Sequence, residues 1–359
     1  MKVSVCVSSY NHAPYLRTAL DSVLAQTFAD FEIVVADDGS SDESPSILEA
    51  YAARHRSVRV VTHPARSRRG ISATCNLAIE EARGACLAWL ASDDVWFPWT
   101  LERQVSMLDR DPRVGLVYGR ADVIDGSGRT TGQRIGRDVT GDDNVAASVL
   151  ASNPIPASTV MIRRETVREL GGFDETLTFG DWELWIRILA RWEVGFSRRP
   201  LAMYRVHGGN FSLAQGRRLT LERRLEAVTA LRRKIDAVGG RLLEPACRAL
   251  VDLQQSLFLF CLGDLPAARR AVASALAADP TLVENVHGLS RWLRATQHEP
   301  MQTDRPLSPP LTYGGWMAQE LAAQVGGAYA RRVRRRVRAG RVRHVVGLLR
   351  VAVGRRGLW

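Results

Sequence analysis

The sequence predicts an α/β protein with a largely parallel sheet, followed by a helical, basic extension. Three observations carry this expectation. Short β-rich runs alternate with amphipathic helical runs through the first half, polar clusters recur directly after strands, and beyond residue 213 the patterning turns helical.

The elements follow in order. "KVSVCV" (2–7) reads as a strand of alternating apolar residues, and "PYLRTALDSVLAQ" (14–26) as a helix opened by a proline at its first turn. "FEIVVAD" (31–37) is a second strand, a helix follows over 44–55, and "SVRVVTH" (57–63) is a third strand. "ISATCNLAIEEAR" (71–83) is a helix and "ACLAWLA" (85–91) a fourth strand. This order places "SSYNH", "DDGSSD" and "SDD" after strands one, two and four, at the carboxyl ends of a parallel sheet, where ligands bind in open α/β folds. After residue 112 the pattern shifts to "VGLVYGRADVID" with a "GSG" turn, and later to "STVMIRR" (158–164), which predicts mixed or antiparallel sheet with an exposed loop near 130–145. In "DWELWIRILARW" (181–192) Trp182, Trp185, Ile186, Leu189 and Trp192 fall at helical spacing, so these aromatics belong to the core, with Asp181 at the amino-terminal edge.

Composition bounds the remainder. A chain of 359 residues with 46% hydrophobic content can build a full catalytic domain and additional structure. Five scattered cysteines without a C-x-x-C favour neither a disulfide framework nor a zinc site, and they suit a reducing cytoplasm. The amino terminus lacks the continuous apolar run of a signal peptide, and no apolar window approaches the roughly 18 residues of a membrane span. Charge is divided unevenly. Residues 1–214 hold 24 Lys+Arg against 27 Asp+Glu, whereas 215–359 hold 25 against 11. Basicity therefore belongs to the second part and says little about what the first part binds.

Four segments emerge: a catalytic domain over 1–214, a helical extension over 215–298, a proline-rich linker over 299–313, and a basic amphipathic segment over 314–359. Eleven arginines lie between Arg331 and Arg356 with no acid among them, interleaved with Leu and Val, a profile suited to peripheral docking on an anionic membrane surface. Charge alone also admits nucleic acid, but no recognisable nucleic-acid module is present, so nucleic acid is not the expected partner. A dehydrogenase reading fails because no G-x-G-x-x-G follows the first strand, where "SSYNHAP" stands instead.

The stretch "VSVCVSSYNHAPYLRTALDSVLAQTFADFEIVVADDGSSD" resembles the nucleotide-binding start of a family 2 glycosyltransferase, and "ACLAWLASDDVWFP" resembles that family's metal-binding turn. "GGFDETLTFGDWELWIR" and "MYRVHGGNFS" are similar to its acceptor-side segments, so the resemblance covers 1–214. It implies a GT-A fold, a Rossmann-like mixed sheet flanked by helices, and inverting transfer of a sugar from a nucleotide-diphospho-sugar, with UDP favoured. The acceptor would be the hydroxyl of a glycan or lipid-linked molecule, in cell-surface polysaccharide synthesis. It also implies Mg²⁺ or Mn²⁺ as cofactor, since neutralising a leaving diphosphate calls for a hard cation on oxygen ligands.

By the same resemblance Asp94 is the metal ligand, Asp93 contacts the ribose, Ser8 and Tyr10 lie where the base packs, and Asp38 accepts from the base. Asp181 matches the catalytic base, and His207 matches a histidine that contacts metal or diphosphate. For Ser8, Tyr10 and Asp38 the alternative is a turn or capping role, and Asp181 can cap its helix as well as act as base. One departure stands out: Gly180 occupies a position that is often acidic in the family. A catalytically inactive nucleotide-sugar-binding protein of the same fold is the alternative function.

Overall fold

A computed structural model describes residues 1–142, 145–151, 153–178, 180–210 and 216–279, together with 313, 316, 317 and 320. The chain divides into two compact units, Met1–Ala214 and Gln215–Trp359.

The first unit opens as the alternation predicts, with β1 (Val3–Ser9), α1 (Ala13–Leu24), β2 (Phe31–Asp37), α2 (Ser44–Arg54), β3 (Val58–Thr62), α3 (Ile71–Glu81) and β4 (Cys86–Ala91). A two-residue β5 (Val95–Trp96) follows, then α4 (Thr100–Arg110), β6 (Val114–Asp125), β7 (Thr130–Ile135), α5 (Val145–Ala151), β8 (Met161–Arg163), α6 (Arg164–Leu170), α7 (Gly180–Arg191) and β9 (Glu193–Val206). Among the described residues the strands form one sheet in the order β3-β2-β1-β4-β8-β6-β9-β5, with β7 also paired to β6.

β1, β2, β3 and β4 are mutually parallel, so their carboxyl ends share one rim. The expectation of mixed sheet beyond residue 112 is met by antiparallel pairing of β8 to β4 and β6 and of β5 to β9. β6 and β9 run parallel along their length, which brings Val206 beside Asp125. The exposed loop expected near 130–145 begins as a strand, β7. Its residues Thr130–Arg134 are all exposed, so "TTGQR" carries no apolar alternation from which pairing could be read.

The core lies between sheet and helices. Val3, Val5, Val7, Ile33 and Val35 from the strands pack with Leu16, Leu20 and Val23 from α1. Burying that many apolar side chains, at about 1.5–3 kcal/mol each, is what holds α1 on the sheet. Trp182 and Trp185 are buried, as their helical spacing implies. Asp42 sits between two helix starts: its carboxylate accepts the N–H of Ala13 at 2.9 Å and of Ser44 at 2.9 Å. These bonds outweigh its burial and lower its pKa.

The second unit contains α8 (Gly216–Val238), α9 (Pro245–Cys261) and α10 (Leu265–Ala278). Asp264 caps α10 through the N–H of Ala267. Tyr313, Trp316, Met317 and Glu320 are helical and buried, at the spacing of one helix face. Trp316 packs on Phe260, and Glu320 pairs with Arg269 at 2.8 Å. The basic segment therefore starts with a buried anchor, while Arg331–Arg356 lies outside the described residues. Among the described residues no helix is long and apolar enough to cross a membrane.

Candidate active site

Loops from the carboxyl ends of β1, β2, β4 and β9 meet on one rim. The turn between β4 and β5 carries Ser92, Asp93 and Asp94, all buried. The two aspartates point to different partners. Asp94 turns inward, its Oδ2 accepting from Ser158 Oγ at 2.5 Å and its Oδ1 from the backbone N–H of Arg205 at 2.8 Å. Ser158 Oγ also accepts the N–H of Ala91, so the turn is tied to the segment before β8 and to β9 at once. Burial, and then repulsion from Asp93, push the Asp94 pKa up to about 8.

Asp93 instead faces two histidines. Its Oδ2 accepts from Asn210 Nδ2 at 3.2 Å and lies 3.0 Å from His207 Nε2, while Oδ1 lies 3.9 Å from His12 Nδ1. Arg205 Nε donates to the Asp93 carbonyl at 2.8 Å, and its guanidinium sits 4.9 Å from the Tyr15 ring centre. Tyr15 in turn packs against His207 at 4.5 Å between centroids. The sequence resemblance gives the cation to Asp94 and the ribose to Asp93. In the structure both Asp94 oxygens are taken by protein donors, whereas Asp93 belongs to a cluster with His12 and His207 whose ligand atoms all lie within 4.8 Å of one another. That spacing fits one divalent cation at bond lengths of about 2.0–2.6 Å, and two imidazoles with a carboxylate are a sound donor set for Mn²⁺.

The other rim residues take the following places. Ser8 is half-buried near the end of β1, its carbonyl accepting the N–H of Ser92 at 3.3 Å. Tyr10 follows β1, with the Arg68 guanidinium 4.1 Å from its ring centre. Asp38 is buried and accepts from the backbone N–H groups of Arg69 at 2.7 Å and Gly70 at 3.0 Å, so its carboxylate latches the loop that carries Arg68. Gly39 makes this closure possible: its φ is +73°, and a Cβ there would lie 2.4 Å from the Arg66 carbonyl oxygen.

Asp181 lies half-buried in the first turn of α7, where the helix dipole favours a carboxylate. Burial, and then the charge of Asp181, push the buried Cys75 thiol up to about 12. Gly180 has a steric reason to replace an acid, since a Cβ there would lie 2.6 Å from Ser72 Oγ, which donates to the Leu177 carbonyl at 2.7 Å.

Sequence reasoning passed over His12, Tyr15, Ser158, Arg205 and Asn210. The spacing of Arg205, His207 and Asn210 along one strand end was the available signal for two of them. Ser158 and His12 are brought in only by tertiary contact.

Residues 4–171 match the glycosyl transferase family 2 description. A glycosyltransferase of Nostoc sp., itself uncharacterised, is 28% identical over 267 residues, covering 72% of this chain and 80% of the relative. An uncharacterised protein of Mycobacterium tuberculosis is 31% identical over 244 residues, 66% of this chain and 69% of its own. Among solved structures, Staphylococcus aureus TarS 1–349 in complex with UDP-GlcNAc aligns with a TM-score of 0.56 at 18% identity, covering 90% of this chain and 83% of that one. The mannosyltransferase PcManGT of Pyrobaculum calidifontis, in complex with GDP-Man and Mn²⁺, aligns with a TM-score of 0.52 at 19% identity over 82% of this chain and 85% of that one. A mixed α/β sheet of the GT-A type, with an acidic and histidine-bearing rim, is the class these features define. The chain belongs to glycosyltransferase family 2 and is a glycosyltransferase.

Proposed function

We propose that the chain is a metal-dependent, inverting transferase that moves a sugar from a UDP-sugar to a hydroxyl of a glycan or lipid-linked acceptor in cell-surface polysaccharide synthesis. The observation that carries this reading is the convergence on one rim of the His12, Asp93 and His207 cluster with the strand ends of β1 and β2. TarS, with UDP-GlcNAc, and PcManGT, with GDP-Man and Mn²⁺, support donor and cofactor classes of this kind.

The residues divide the work. Tyr10, with Ser8 beside it, offers a face for the base, and Asp38 fixes the loop that borders it. Asp93, within its cluster, replaces Asp94 as the residue that holds the cation. His12, Asp93 and His207 would hold a divalent cation, which when bound would supply charge neutralisation to the leaving diphosphate. Asp181 accepts the proton of the acceptor hydroxyl as that oxygen bonds to the anomeric carbon, and the bond to the diphosphate oxygen breaks with its electron pair leaving on the diphosphate. Attack on the face opposite the leaving group inverts the anomeric centre. The basic carboxyl-terminal segment docks the enzyme on an anionic membrane surface, close to a lipid-linked acceptor.

Asp181→Asn tests the assignment. Turnover is expected to fall by about 10²–10⁴-fold, the usual contribution of a general base, with nucleoside diphosphate affinity unchanged. Unchanged turnover would remove Asp181 from the mechanism. Binding of a donor without transfer to any acceptor by the wild-type chain would favour the inactive binding protein.

A further inference from the structure

We propose that Asn76 is a positioning residue for Asp181, its side-chain amide holding the loop from which the first turn of α7 springs. The proposal rests on the reading of Asp181 as general base and assigns the group that keeps this base in place.

Asp181 is not fixed by its own helix alone. The first backbone N–H groups of a helix have no partner within it, so the placement of the first turn depends on the chain that enters it. That chain is the segment between α6 and α7, which opens with Gly171 and forms no strand or helix up to Thr178. Such a segment takes its shape from the groups that pair with its backbone. α3 supplies two of them from one face, since Ser72 and Asn76 lie four residues apart on it. Asn76 Oδ1 accepts the N–H of Phe173 at 2.8 Å, and Nδ2 donates to the Phe173 carbonyl at 3.0 Å and to Glu175 Oε1 at 2.9 Å. The amide thus meets Phe173 as a neighbouring strand would, with one donor and one acceptor, and turns its second N–H to the same loop. Ser72 Oγ holds the far end of the loop at the Leu177 carbonyl, 2.7 Å away.

Two contacts carry this hold to Asp181. Gly180, its neighbour, packs on the residues that Asn76 fastens, since a Cβ there would lie 3.4 Å from Phe173 Cδ1 and 3.5 Å from the Asp174 carbonyl oxygen. From the body of α7, Arg187 donates back to the carbonyls of Leu170 at 2.8 Å and Gly172 at 2.7 Å, its charge matched by buried Glu183 at 2.8 Å. Loop, α3 and α7 therefore form one closed circuit. The Phe173 ring is separately seated against Trp89 of β4 and Trp185 of α7, with centroids 5.8 and 6.1 Å away. That apolar seat stays when the amide is removed, and because Asn76 is only half-buried, water can take its place on the Phe173 backbone. A misplacement of about 1 Å at a reacting group costs about 10²-fold in rate, so loss of the amide acts on turnover before it acts on folding.

The test is a double-mutant cycle on the full chain with Mn²⁺, read as UDP or GDP released from a panel of UDP- and GDP-sugars with water as the acceptor, well below each variant's melting temperature. Asn76→Ala should lower turnover by about 10–100-fold and leave KM for the donor within about threefold of wild type. Combined with Asp181→Asn it should add nothing, because a residue that acts only through Asp181 has no effect once that carboxylate is gone. Asn76→Asp keeps an acceptor for the Phe173 N–H but sets a carboxylate against Glu175, so turnover should fall as well, and adding Glu175→Gln should restore part of it. Wild-type turnover in Asn76→Ala, or independent losses that multiply in the double variant, overturns the proposal while leaving Asp181 as base. Unchanged turnover in Asp181→Asn overturns the general-base reading instead. Release of nucleotide from none of the donors by the wild type overturns the nucleotide-sugar reading and the proposal with it.

Discussion

Replacing Asp94 separates a structural from a metal-binding role for the second aspartate of the pair. Its carboxylate is 2% exposed and accepts from Ser158 Oγ and from the backbone N–H of Arg205. Asp94→Ala strands both donors in a dry site, at about 1–3 kcal/mol each, so a loss of about 2–6 kcal/mol is expected. At roughly 2–4 °C per kcal/mol for a unit of this size, the first unit's melting transition should drop by about 4–24 °C. Asp94→Asn keeps an oxygen for Arg205 and lets the Ser158 hydroxyl reverse, so it should melt within a few degrees of wild type. The decisive assay is Mn²⁺ affinity by calorimetric titration of Asp94→Asn beside Asp93→Asn. Asp94→Asn should bind Mn²⁺ within about threefold of wild type, and Asp93→Asn should lose at least 10-fold with its melting temperature nearly unchanged. If Asp94→Asn lost the metal while its stability stayed intact, the inward carboxylate would be a ligand after all and the division of roles drawn from the hydrogen bonds would be wrong.

Further outcomes follow from the same geometry. In metal-free protein the Asp94 pKa is raised from 3.8 to about 8, so the unfolded chain sheds this proton first, and the contribution of Asp94 to stability declines as pH rises across that window. The difference in melting temperature between Asp94→Asn and wild type should therefore grow in favour of the variant from acid to neutral pH, and parallel curves would refute the shift. Gly180→Ala places a Cβ 2.6 Å from Ser72 Oγ and should destabilise by about 1–3 kcal/mol in a denaturant titration. Adding Ser72→Ala should recover part of the loss, and strict additivity would show that the two positions do not meet. A chain ended after Glu320 keeps the buried Tyr313, Trp316 and Met317 and should retain nucleotide binding while losing sedimentation with anionic liposomes. Undiminished sedimentation would remove the basic segment from membrane docking.

The sequence by itself determined the periodic part of the protein. Strands such as Val3–Ser9 and Phe31–Asp37 and the apolar face of α1 are local patterns, because a two-residue or 3.6-residue repeat of apolar side chains is written in neighbouring positions. Strand order made the carboxyl-end rim legible, and with it the convergence of "SSYNH", "DDGSSD" and "SDD". What tertiary structure alone decided is how each carboxylate is used. Adjacent aspartates in the tight turn after β4 go to different partners, and only Ser158 and Arg205, 64 and 111 residues further along the chain, establish that Asp94 is the inward one. The same holds for His12, which meets Ser92 80 residues further along, and for Asp38, whose donors come from a loop 31 residues on. Hydrogen-bond partners at such separations leave no periodic trace in a single sequence, since they are fixed by where the packed sheet delivers each loop.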